Sequence, residues 1–215
     1  MNIVITGGSS GLGREMYSYF KDGDHNVRTY NRKESFDLST QKDRDRMFSH
    51  VGSYFNYIDL LINNAGIMTL NERGMNTTEM VTMVHLNLVA VWDLSVSLHP
   101  MLKKGYHGQI INIASVSGIK GDAECPLYAA TKAGVINLTK SFAKAYAPDV
   151  RVNCISPGFY DTNLVPGPAP QELIDGVPLA REAKANEIIP VVAYLIANRY
   201  TTGANIVTDG GLTVA

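Results

Sequence analysis

Short apolar runs of strand length alternate along this chain with longer segments of helical periodicity. The runs are nearly continuous in apolar residues, as in Asn2–Thr6 (NIVIT) and Gln109–Ala114 (QIINIA). Such runs are typical of parallel strands covered on both faces, whereas strands with one solvated face alternate apolar and polar residues. Strands that alternate with helices predict βαβ units around a single sheet. We therefore expect an α/β protein with a doubly wound parallel sheet and helices on both faces.

The predicted elements extend over the whole chain. The strands are expected at Asn2–Thr6, Val27–Tyr30, Tyr57–Ile62, Gln109–Ala114, Val150–Ile155 and Asn205–Thr208. The helices are expected at Gly11–Phe20, Ser39–Phe55, Thr77–Lys103, Pro126–Ala147 and Ala183–Ala197. No repeat or linker composition divides residues 1–215, so a single domain is predicted. The longest irregular stretch, at about 159–182, is predicted to form a short substrate lid, because long loops in compact domains are usually functional.

Composition excludes several classes of function. The 215 residues carry a formal net charge of −1, which removes any bulk attraction to nucleic acid or anionic membranes. Two cysteines, Cys125 and Cys154, and five histidines without metal-ligand spacing predict neither a disulfide framework nor a metal site. No secretory leader pattern is visible. We expect a cytoplasmic protein without a nucleic-acid or membrane partner.

A glycine-rich turn joins the first strand to the first helix. It reads TGGSSGLG over Thr6–Gly13. Glycines allow the backbone to turn tightly and to approach a phosphate, which the helix N-terminus then attracts. The spacing G-x-x-x-G-x-G lacks the Lys-Ser/Thr pair of a nucleoside-triphosphate loop. A dinucleotide-binding turn is favoured, with an ordinary strand-to-helix loop as the alternative.

A tyrosine and a lysine lie four residues apart on a predicted helix. Tyr128 and Lys132 therefore project from one face of that helix. An ammonium group beside a phenol lowers its pKa and suits it to proton transfer near neutral pH. Ser115 lies at the end of a strand, at the edge where α/β sheets bind ligands, and its hydroxyl can donate to a carbonyl. Ser117 is a rival for that role, and such a pair on a helix can also arise by chance.

Seven motifs in order make the chain resemble a short-chain dehydrogenase/reductase, of the 3-oxoacyl-acyl-carrier-protein reductase type and in a shortened form. The motifs are TGGSSGLG at Thr6–Gly13, NNAG at Asn63–Gly66, LNL around Asn87, NIAS ending at Ser115, YAATK at Tyr128–Lys132, SPG at Ser156–Gly158 followed by Thr162, and a terminal TGANIVTDGG. The resemblance extends from Ile3 to Gly211. It implies a Rossmann-type sheet of about seven parallel strands and a nicotinamide dinucleotide cofactor.

The resemblance also implies a reaction and its residues. Tyr128 would be the acid/base, Ser115 would polarise the carbonyl, and Lys132 would lower the tyrosine pKa and hold the nicotinamide ribose. Asn87 would hold a water that relays protons. The implied activity is hydride transfer between NAD(P) and a carbonyl or alcohol group. The alternative is a non-catalytic dinucleotide-binding redox sensor or scaffold, although such a protein has no need of the proton donor.

The implied cofactor site draws on several loops. Its residues would be Thr6, Gly7, Ser9, Ser10, Gly11, Leu12, Gly13, Asn31, Arg32, Asp37, Leu38, Asn64, Ala65, Gly66, Tyr128, Lys132, Pro157, Gly158 and Thr162. NAD enzymes usually carry an acid after the second strand to bind the ribose diol, but here Asn31, Arg32 and Lys33 follow it. Because arginine forms a fork with phosphate oxygens, NADP(H) is favoured over NAD(H). Glu34 is the alternative ribose ligand if the strand ends later.

The chain departs from the family on the adenine side. Asp37 follows Asn31 too closely for the helix that usually comes after the second strand, so that helix is expected to be missing and the third strand very short. The short lid favours a small-molecule carbonyl or alcohol substrate, or one presented on a carrier. Relatives commonly associate through the two long helices, so a homodimer or homotetramer is expected.

Overall fold

The computed structural model describes residues 1–164, 167 and 169–215 and is built around a parallel sheet. The strand order is β2-β1-β3-β4-β5-β8. These strands are β1 (Asn2–Thr6), β2 (Asn26–Tyr30), β3 (Leu60–Asn63), β4 (Gln109–Ile113), β5 (Arg151–Pro157) and β8 (Asn205–Thr208). Strands β6 (Tyr160–Asp161) and β7 (Ala183–Lys184) form a separate parallel pair. The predicted doubly wound α/β fold is confirmed, and residues 165, 166 and 168 of the predicted lid lie outside the described residues.

Helices cover both faces of the sheet. They are α1 (Gly11–Asp22), α2 (Gln41–Tyr54), α3 (Thr77–Val84), α4 (Ala90–Ser97), α5 (His99–Leu102), α6 (Ser117–Lys120), α7 (Pro126–Tyr146), α8 (Gln171–Asp175) and α9 (Ile189–Ala197). Successive residues of one strand face opposite layers. Thus Val4 packs in the layer with α2, α4 and α7, while Ile3 and Ile5 pack in the layer with α1 and α9. This two-sided burial explains why the strands are continuously apolar.

The sheet has one strand fewer than the seven that were expected. After β2, the described chain forms only a 3-10 turn, Arg32–Glu34, whose first backbone N–H groups are capped by the Asn31 side chain. The chain then turns directly to α2 through the buried side chains of Phe36 and Leu38. With so few residues between β2 and α2, no further strand is built, and β2 is the edge of the sheet.

A groove of about 380 Å³ borders this edge. It lies between Tyr17 of α1 and the side chains of His50 and Tyr54 of α2. The guanidinium of Arg28, on β2, lies 4.1 Å from the centre of the Tyr54 ring. The groove is therefore lined by aromatic rings and by the Arg28 cation that packs on one of them.

Two predicted helices differ from the structure. The single helix expected over Thr77–Lys103 is divided by a π turn at His85–Val89 and again after α4, because Pro100 in α5 has no N–H for an i→i−4 bond. The helix expected over Ala183–Ala197 begins as a strand and a 3-10 turn. Its α-helical part starts at Ile189, where a proline is tolerated in the first turn.

The segment Thr77–Ser97 is long and apolar enough to cross a membrane by length and composition alone, with a mean hydropathy of 1.4 over its most apolar window. In the fold, α3 and the π turn pack against α7, and α4 packs against α2. Asp93 of α4 makes an ion pair within the protein. The segment therefore packs on its neighbours along part of its surface, and helices of globular domains satisfy the same criteria.

An ion pair between α2 and α4 buries one residue of the charged segment Asp43–Arg46. The Arg44 side chain is only 3% exposed, and its Nε lies 2.5 Å from Oδ2 of Asp93. Its two remaining nitrogens donate to the Leu38 carbonyl oxygen and to Gln41 Oε1. All three nitrogens of the guanidinium are therefore used, which is what a buried charge requires.

We expect Asp93→Ala to lower the free energy of unfolding by about 3–5 kcal/mol, because it leaves the Arg44 cation buried without its counter-ion. Urea denaturation followed by circular dichroism measures this change. Asp149→Ala is the matched control, since Asp149 pairs with Lys103 at the surface and its loss should cost less than about 1 kcal/mol. Equal losses in the two variants would contradict this account of the buried pair.

Candidate active site

The predicted catalytic residues converge at the carboxyl ends of the central strands. Ser115 follows β4, and the predicted NNAG motif follows β3. Helix α7 carries Tyr128 and Lys132 across this edge and packs against β4 and β5. The structure therefore brings Ser115, Tyr128 and Lys132 together where ligands bind in open α/β sheets.

Tyr128 and Lys132 face the strand ends from a buried stripe of α7. Each is 4% exposed. The Ser115 side chain neighbours the Tyr128 hydroxyl closely enough to act on its pKa. The Lys132 Nζ donates to the Ile113 carbonyl oxygen at 2.8 Å and lies 5.6 Å from the centre of the Tyr128 ring. One carbonyl partner leaves two of the three ammonium hydrogens for other acceptors.

Burial shifts the pKa of both groups away from their ordinary values. Loss of solvation raises the pKa of Tyr128 to about 12, although the hydrogen bond with Ser115 acts to lower it. Burial lowers the pKa of Lys132 to about 8. The two pKa values therefore move apart from their nearly equal ordinary values of 10.0 and 10.5, because burial favours the neutral form of each group. The lowering of the tyrosine pKa that the resemblance implies is not observed in this structure.

Asn87 lies in the π turn, and its side chain holds the loop after β3. Its Oδ1 accepts from the Ile67 N–H at 2.9 Å, and its Nδ2 donates to the Ile67 carbonyl oxygen at 2.8 Å. A Cβ added at Gly66 would lie 3.3 Å from Asn87 Oδ1 and 3.5 Å from Lys132 Nζ. Asn87 and Lys132 thus border the same space above Gly66. π turns frequently mark functional sites.

Ser117, the rival to Ser115, is already engaged. Its hydroxyl donates to Asp122 Oδ2 at 3.1 Å, and its backbone N–H donates to Ser115 Oγ at 3.1 Å. The second bond occupies one lone pair of the Ser115 hydroxyl and leaves its hydrogen to point elsewhere. The geometry favours Ser115 as the hydroxyl that faces Tyr128.

The glycine-rich turn forms a close-packed cradle. Gly7 has φ +72 and Gly11 has φ +51, conformations that residues with a Cβ rarely adopt. A Cβ at Gly13 would lie 2.2 Å from the Gly7 carbonyl oxygen. Ser10, at the N-cap of α1, makes no side-chain capping bond, so the first turn keeps its own N–H groups for a ligand. Ser9, Ser10 and Leu12 lie on the same turn, and the arrangement fits a dinucleotide pyrophosphate.

The ends of β1 and β3 are joined by side chains of the predicted cofactor site. Thr6 Oγ1 accepts from the backbone N–H groups of Asn64 and Ala65, each at 3.0 Å. Asn64 Nδ2 donates to the carbonyl oxygens of Thr6 and Gly7. Thr6 and Asn64 therefore shape the turn through its backbone, and Ala65 borders it.

On the adenine side, the carboxylates are already occupied. Glu34 accepts from Thr29 Oγ1 at 2.7 Å and from Asn31 Nδ2 at 2.6 Å. Asp37 accepts from the N–H and hydroxyl of Ser39 and pairs with the Arg32 guanidinium at 3.4 Å. The Arg32 side chain is nonetheless 57% exposed. The predicted adenine contact Leu38 is a buried core residue.

The end of β5 completes the cradle. The Pro157 carbonyl oxygen accepts from the Val116 N–H, which ties β5 to the loop after β4. Gly158 lies so close to Asp209 that an added Cβ would come within 2.8 Å of its Cα. A Cβ added at Gly11 would lie 3.1 Å from the Cβ of Thr162, so Thr162 borders the glycine-rich turn.

One contact at the site has no counterpart in the sequence-based predictions. The Glu72 carboxylate accepts from the Leu127 N–H at 2.5 Å and from the Tyr128 N–H at 2.8 Å. Glu72 precedes Tyr128 by 56 residues. The sequence gives only an indirect sign of this contact. The residue before Pro126 is Cys125, which makes no side-chain capping bond, so the first N–H groups of the helix need an acceptor from elsewhere in the chain.

Comparisons with known proteins agree with this geometry. A family model described as enoyl-(acyl carrier protein) reductase matches residues 23–213. The 3-oxoacyl-acyl-carrier-protein reductase FabG of Thermotoga maritima is 32% identical over 239 residues, covering 98% of this chain and 97% of the relative.

Solved structures are similarly close. A 4-hydroxyisoleucine dehydrogenase complexed with NADH has a TM-score of 0.91 and 28% identity, with 100% of each chain covered. A 3-ketoacyl-(acyl-carrier-protein) reductase from Brucella melitensis, complexed with NADH, has a TM-score of 0.91 and 27% identity, covering 98% of this chain and 97% of that one. The fold is therefore shared with two enzymes whose structures contain NADH.

Burial of Lys132 has a consequence for stability at alkaline pH. The unfolded chain holds this proton up to the usual lysine pKa of 10.5, whereas the folded chain releases it near about 8. Between these pH values the unfolded state binds more protons, so this residue makes the free energy of unfolding rise with pH. We expect the free energy of unfolding of the original protein, relative to that of Lys132→Met, to rise from pH 8 to pH 10, as measured by urea denaturation. Exposed Lys144→Met is the control, and parallel curves for all three proteins would contradict the prediction.

Proposed function

Since the chain belongs to the short-chain dehydrogenase/reductase family, we propose that Ser115, Tyr128, Lys132 and Asn87 are its catalytic set. The chain is a nicotinamide-dinucleotide-dependent oxidoreductase that interconverts a carbonyl and an alcohol. The observation that carries the residue assignment is the convergence of the Tyr128 hydroxyl, the Ser115 hydroxyl and the Lys132 ammonium at one sheet edge.

In this mechanism the chain supplies orientation and protons. The bound dinucleotide supplies the hydride that reduces the carbonyl carbon. The Ser115 hydroxyl donates a hydrogen bond to the carbonyl oxygen and stabilises the charge that develops there. The Tyr128 hydroxyl transfers its proton to the same oxygen. Lys132, whose Nζ lies 5.6 Å from the Tyr128 ring centre, stabilises the resulting phenolate.

We assign the return of the proton to the space above Gly66. Lys132 Nζ and Asn87 Oδ1 both border that space. Asn87 Oδ1 accepts one hydrogen bond, from the Ile67 N–H, and its second lone pair can accept another. A water held there would connect Lys132 with solvent and restore the Tyr128 proton after each turnover.

The cofactor would lie along the cradle from the glycine turn to the end of β5. The residues that would hold it are Thr6, Gly7, Ser9, Ser10, Gly11, Leu12, Gly13, Asn31, Arg32, Asp37, Leu38, Asn64, Ala65, Gly66, Tyr128, Lys132, Pro157, Gly158 and Thr162. For Thr6, Asn64 and Leu38 the proposed role is to shape the cradle, since their side chains are committed to the protein. The remaining residues border the cradle through backbone groups or exposed atoms.

NADP(H) is the proposed cofactor in preference to NAD(H). A ribose diol needs an acceptor carboxylate, but Glu34 and Asp37 already accept protein hydrogen bonds. Arg32 is exposed and Lys33 is adjacent. A 2′-phosphate would compete well with Asp37 for the Arg32 guanidinium, because the pair with Asp37 is long, at 3.4 Å, and solvated.

The proposed substrate is a carbonyl or alcohol that is either a small molecule or carried on an acyl carrier. Relatives named 3-oxoacyl-acyl-carrier-protein reductase support the carrier-bound class. We further propose a homodimer or homotetramer, supported by the exposed apolar side chains Val81, Trp92 and Val96 on the long helical segment. Residues 1–215 would act as one cytoplasmic domain with its lid at about 159–182.

The rival function, a redox sensor or scaffold that binds a dinucleotide without turnover, is not favoured. A sensor needs the glycine cradle but not a buried phenol and a buried ammonium at the strand ends. Burying these groups costs stability, because the charged form of each loses its solvation. A catalytic function accounts for the burial of both the Tyr128 phenol and the Lys132 ammonium.

Tyr128→Phe should lower kcat by at least about 10²-fold, because it removes the proton donor, and should leave the dinucleotide Kd within about threefold. Turnover of acetoacetyl-coenzyme A is followed by nicotinamide absorbance, and binding by its fluorescence. Tyr106→Phe is the matched control, since Tyr106 is an exposed tyrosine. Undiminished turnover in Tyr128→Phe would contradict the catalytic assignment.

Arg32→Ala should weaken NADPH binding by about tenfold or more, a change of about 1.4 kcal/mol, and alter NADH binding much less. Fluorescence titration at one fixed salt concentration measures both constants. Arg199→Ala removes one exposed positive charge elsewhere and controls for net charge. Tighter binding of NADH than of NADPH by the unmodified protein would overturn the proposed preference.

A further inference from the structure

The N-terminus of α7 has only two backbone N–H groups that need an outside acceptor. Pro126, at the first position, has no N–H, and Cys125 provides no side-chain cap. The Ala129 N–H already donates to the Cys125 carbonyl oxygen at 2.9 Å. The N–H groups of Leu127 and Tyr128 are left over, and in a helix such groups must find a partner.

Glu72 accepts from both groups. Its Oε2 receives the Leu127 N–H at 2.5 Å, and its Oε1 receives the Tyr128 N–H at 2.8 Å. Each bond is charge-assisted, and the carboxylate lies at the positive end of the helix dipole. A carboxylate with two oxygens therefore matches a helix start that has two unsatisfied donors.

Glu72 is itself fixed to the same region. It begins the 3-10 turn Glu72–Gly74, and its backbone N–H donates to the Glu124 carbonyl oxygen at 3.4 Å. Met75 of the same loop packs with Leu127 in the small cluster around Tyr128. The Cys125 thiol also donates to the Thr69 carbonyl oxygen at 3.4 Å. The loop after β3 and the start of α7 are thus joined by four hydrogen bonds and an apolar contact.

We infer that Glu72 is a positioning residue for the reaction, which holds the backbone of Tyr128 so that its hydroxyl stays aligned with Ser115. The inference rests on the catalytic role proposed for Tyr128. The bond to the Tyr128 N–H acts on the backbone of the residue that transfers the proton, at the end of the helix most free to fray. A shift of about 1 Å in a reacting group can cost up to about 10²-fold in rate.

The fastening can be measured without a substrate. Hydrogen–deuterium exchange of the Leu127 and Tyr128 amides should be at least tenfold faster in Glu72→Ala than in the original protein. Glu72→Gln, which keeps one acceptor oxygen, should be intermediate. Glu124→Ala is the matched control, because Glu124 takes part in the same loop contact through its backbone carbonyl oxygen, which the substitution keeps, while its exposed side chain caps neither amide. Unchanged exchange in both Glu72 variants would overturn the inference.

The consequence for catalysis is a split between kcat and KM. Glu72→Ala should lower kcat for acetoacetyl-coenzyme A, expressed per dinucleotide-binding site, by tenfold or more. The KM for the dinucleotide should stay within twofold of that of the original protein. The isotope effect from deuterated nicotinamide should rise, because the chemical step becomes slower than product release. Glu72→Gln should recover part of kcat.

A purely structural role would give another pattern. It would lower the melting temperature and the fraction of binding-competent protein, yet leave kcat per site and the isotope effect unchanged, and that result would overturn the inference. Active Tyr128→Phe would contradict the proposed function instead. Normal kcat in Glu72→Ala beside inactive Tyr128→Phe would reject the positioning role alone.

Discussion

Hydrogen bonds of the Thr6 and Asn64 side chains join the end of β1 to the end of β3, and the rest of the site is arranged around them. Thr6 Oγ1 accepts hydrogen bonds from two backbone N–H groups at the start of the loop that follows β3. Asn64 Nδ2, in that loop, donates to two carbonyl oxygens at the start of the glycine turn. The turn must then pass close to Asn64, which leaves no room for a Cβ at Gly7 or Gly13. The same bonds hold the loop that places Gly66 next to Lys132. One set of hydrogen bonds therefore orients both the glycine-rich turn and the sheet edge that carries the proposed catalytic residues.

A second, buried set of polar contacts fixes the height of α7 above the sheet. Asn63 of β3 donates to Asn112 of β4 at 2.9 Å, and Asn112 donates to Thr139 of α7 at 2.9 Å. Because breaking these bonds would leave buried polar groups unpaired, they resist sliding of the helix, although Oδ1 of Asn63 has no partner among the described residues. Tyr128 and Lys132 inherit this fixed position, since they lie on the same helix.

Local sequence predicts those parts of the molecule whose cause is local. Asn2–Thr6 and Asn205–Thr208 are strands with the predicted bounds, because their apolar runs end at turn residues. Motif order predicts that Ser115, Tyr128 and Lys132 share one edge. The partner of Arg44 lies 49 residues away on α4, and that of Glu72 lies on α7, so neither contact leaves a mark in hydrophobic periodicity. The π turn at Asn87 is equally silent, because its neighbours keep an apolar helical pattern.

The shortened adenine side has a consequence for how copies of the protein meet one another. An edge strand offers unpaired backbone groups to any other strand, and exposed edges are common starting points for aggregation. Here the middle residue of β2 is Arg28, which is held over the Tyr54 ring. Two copies that paired antiparallel about this residue would bring two guanidinium groups face to face. Repulsion between these cations disfavours pairing of β2 with the β2 strand of another copy. The sheet can therefore lack an outer strand without a greater tendency to aggregate through this edge.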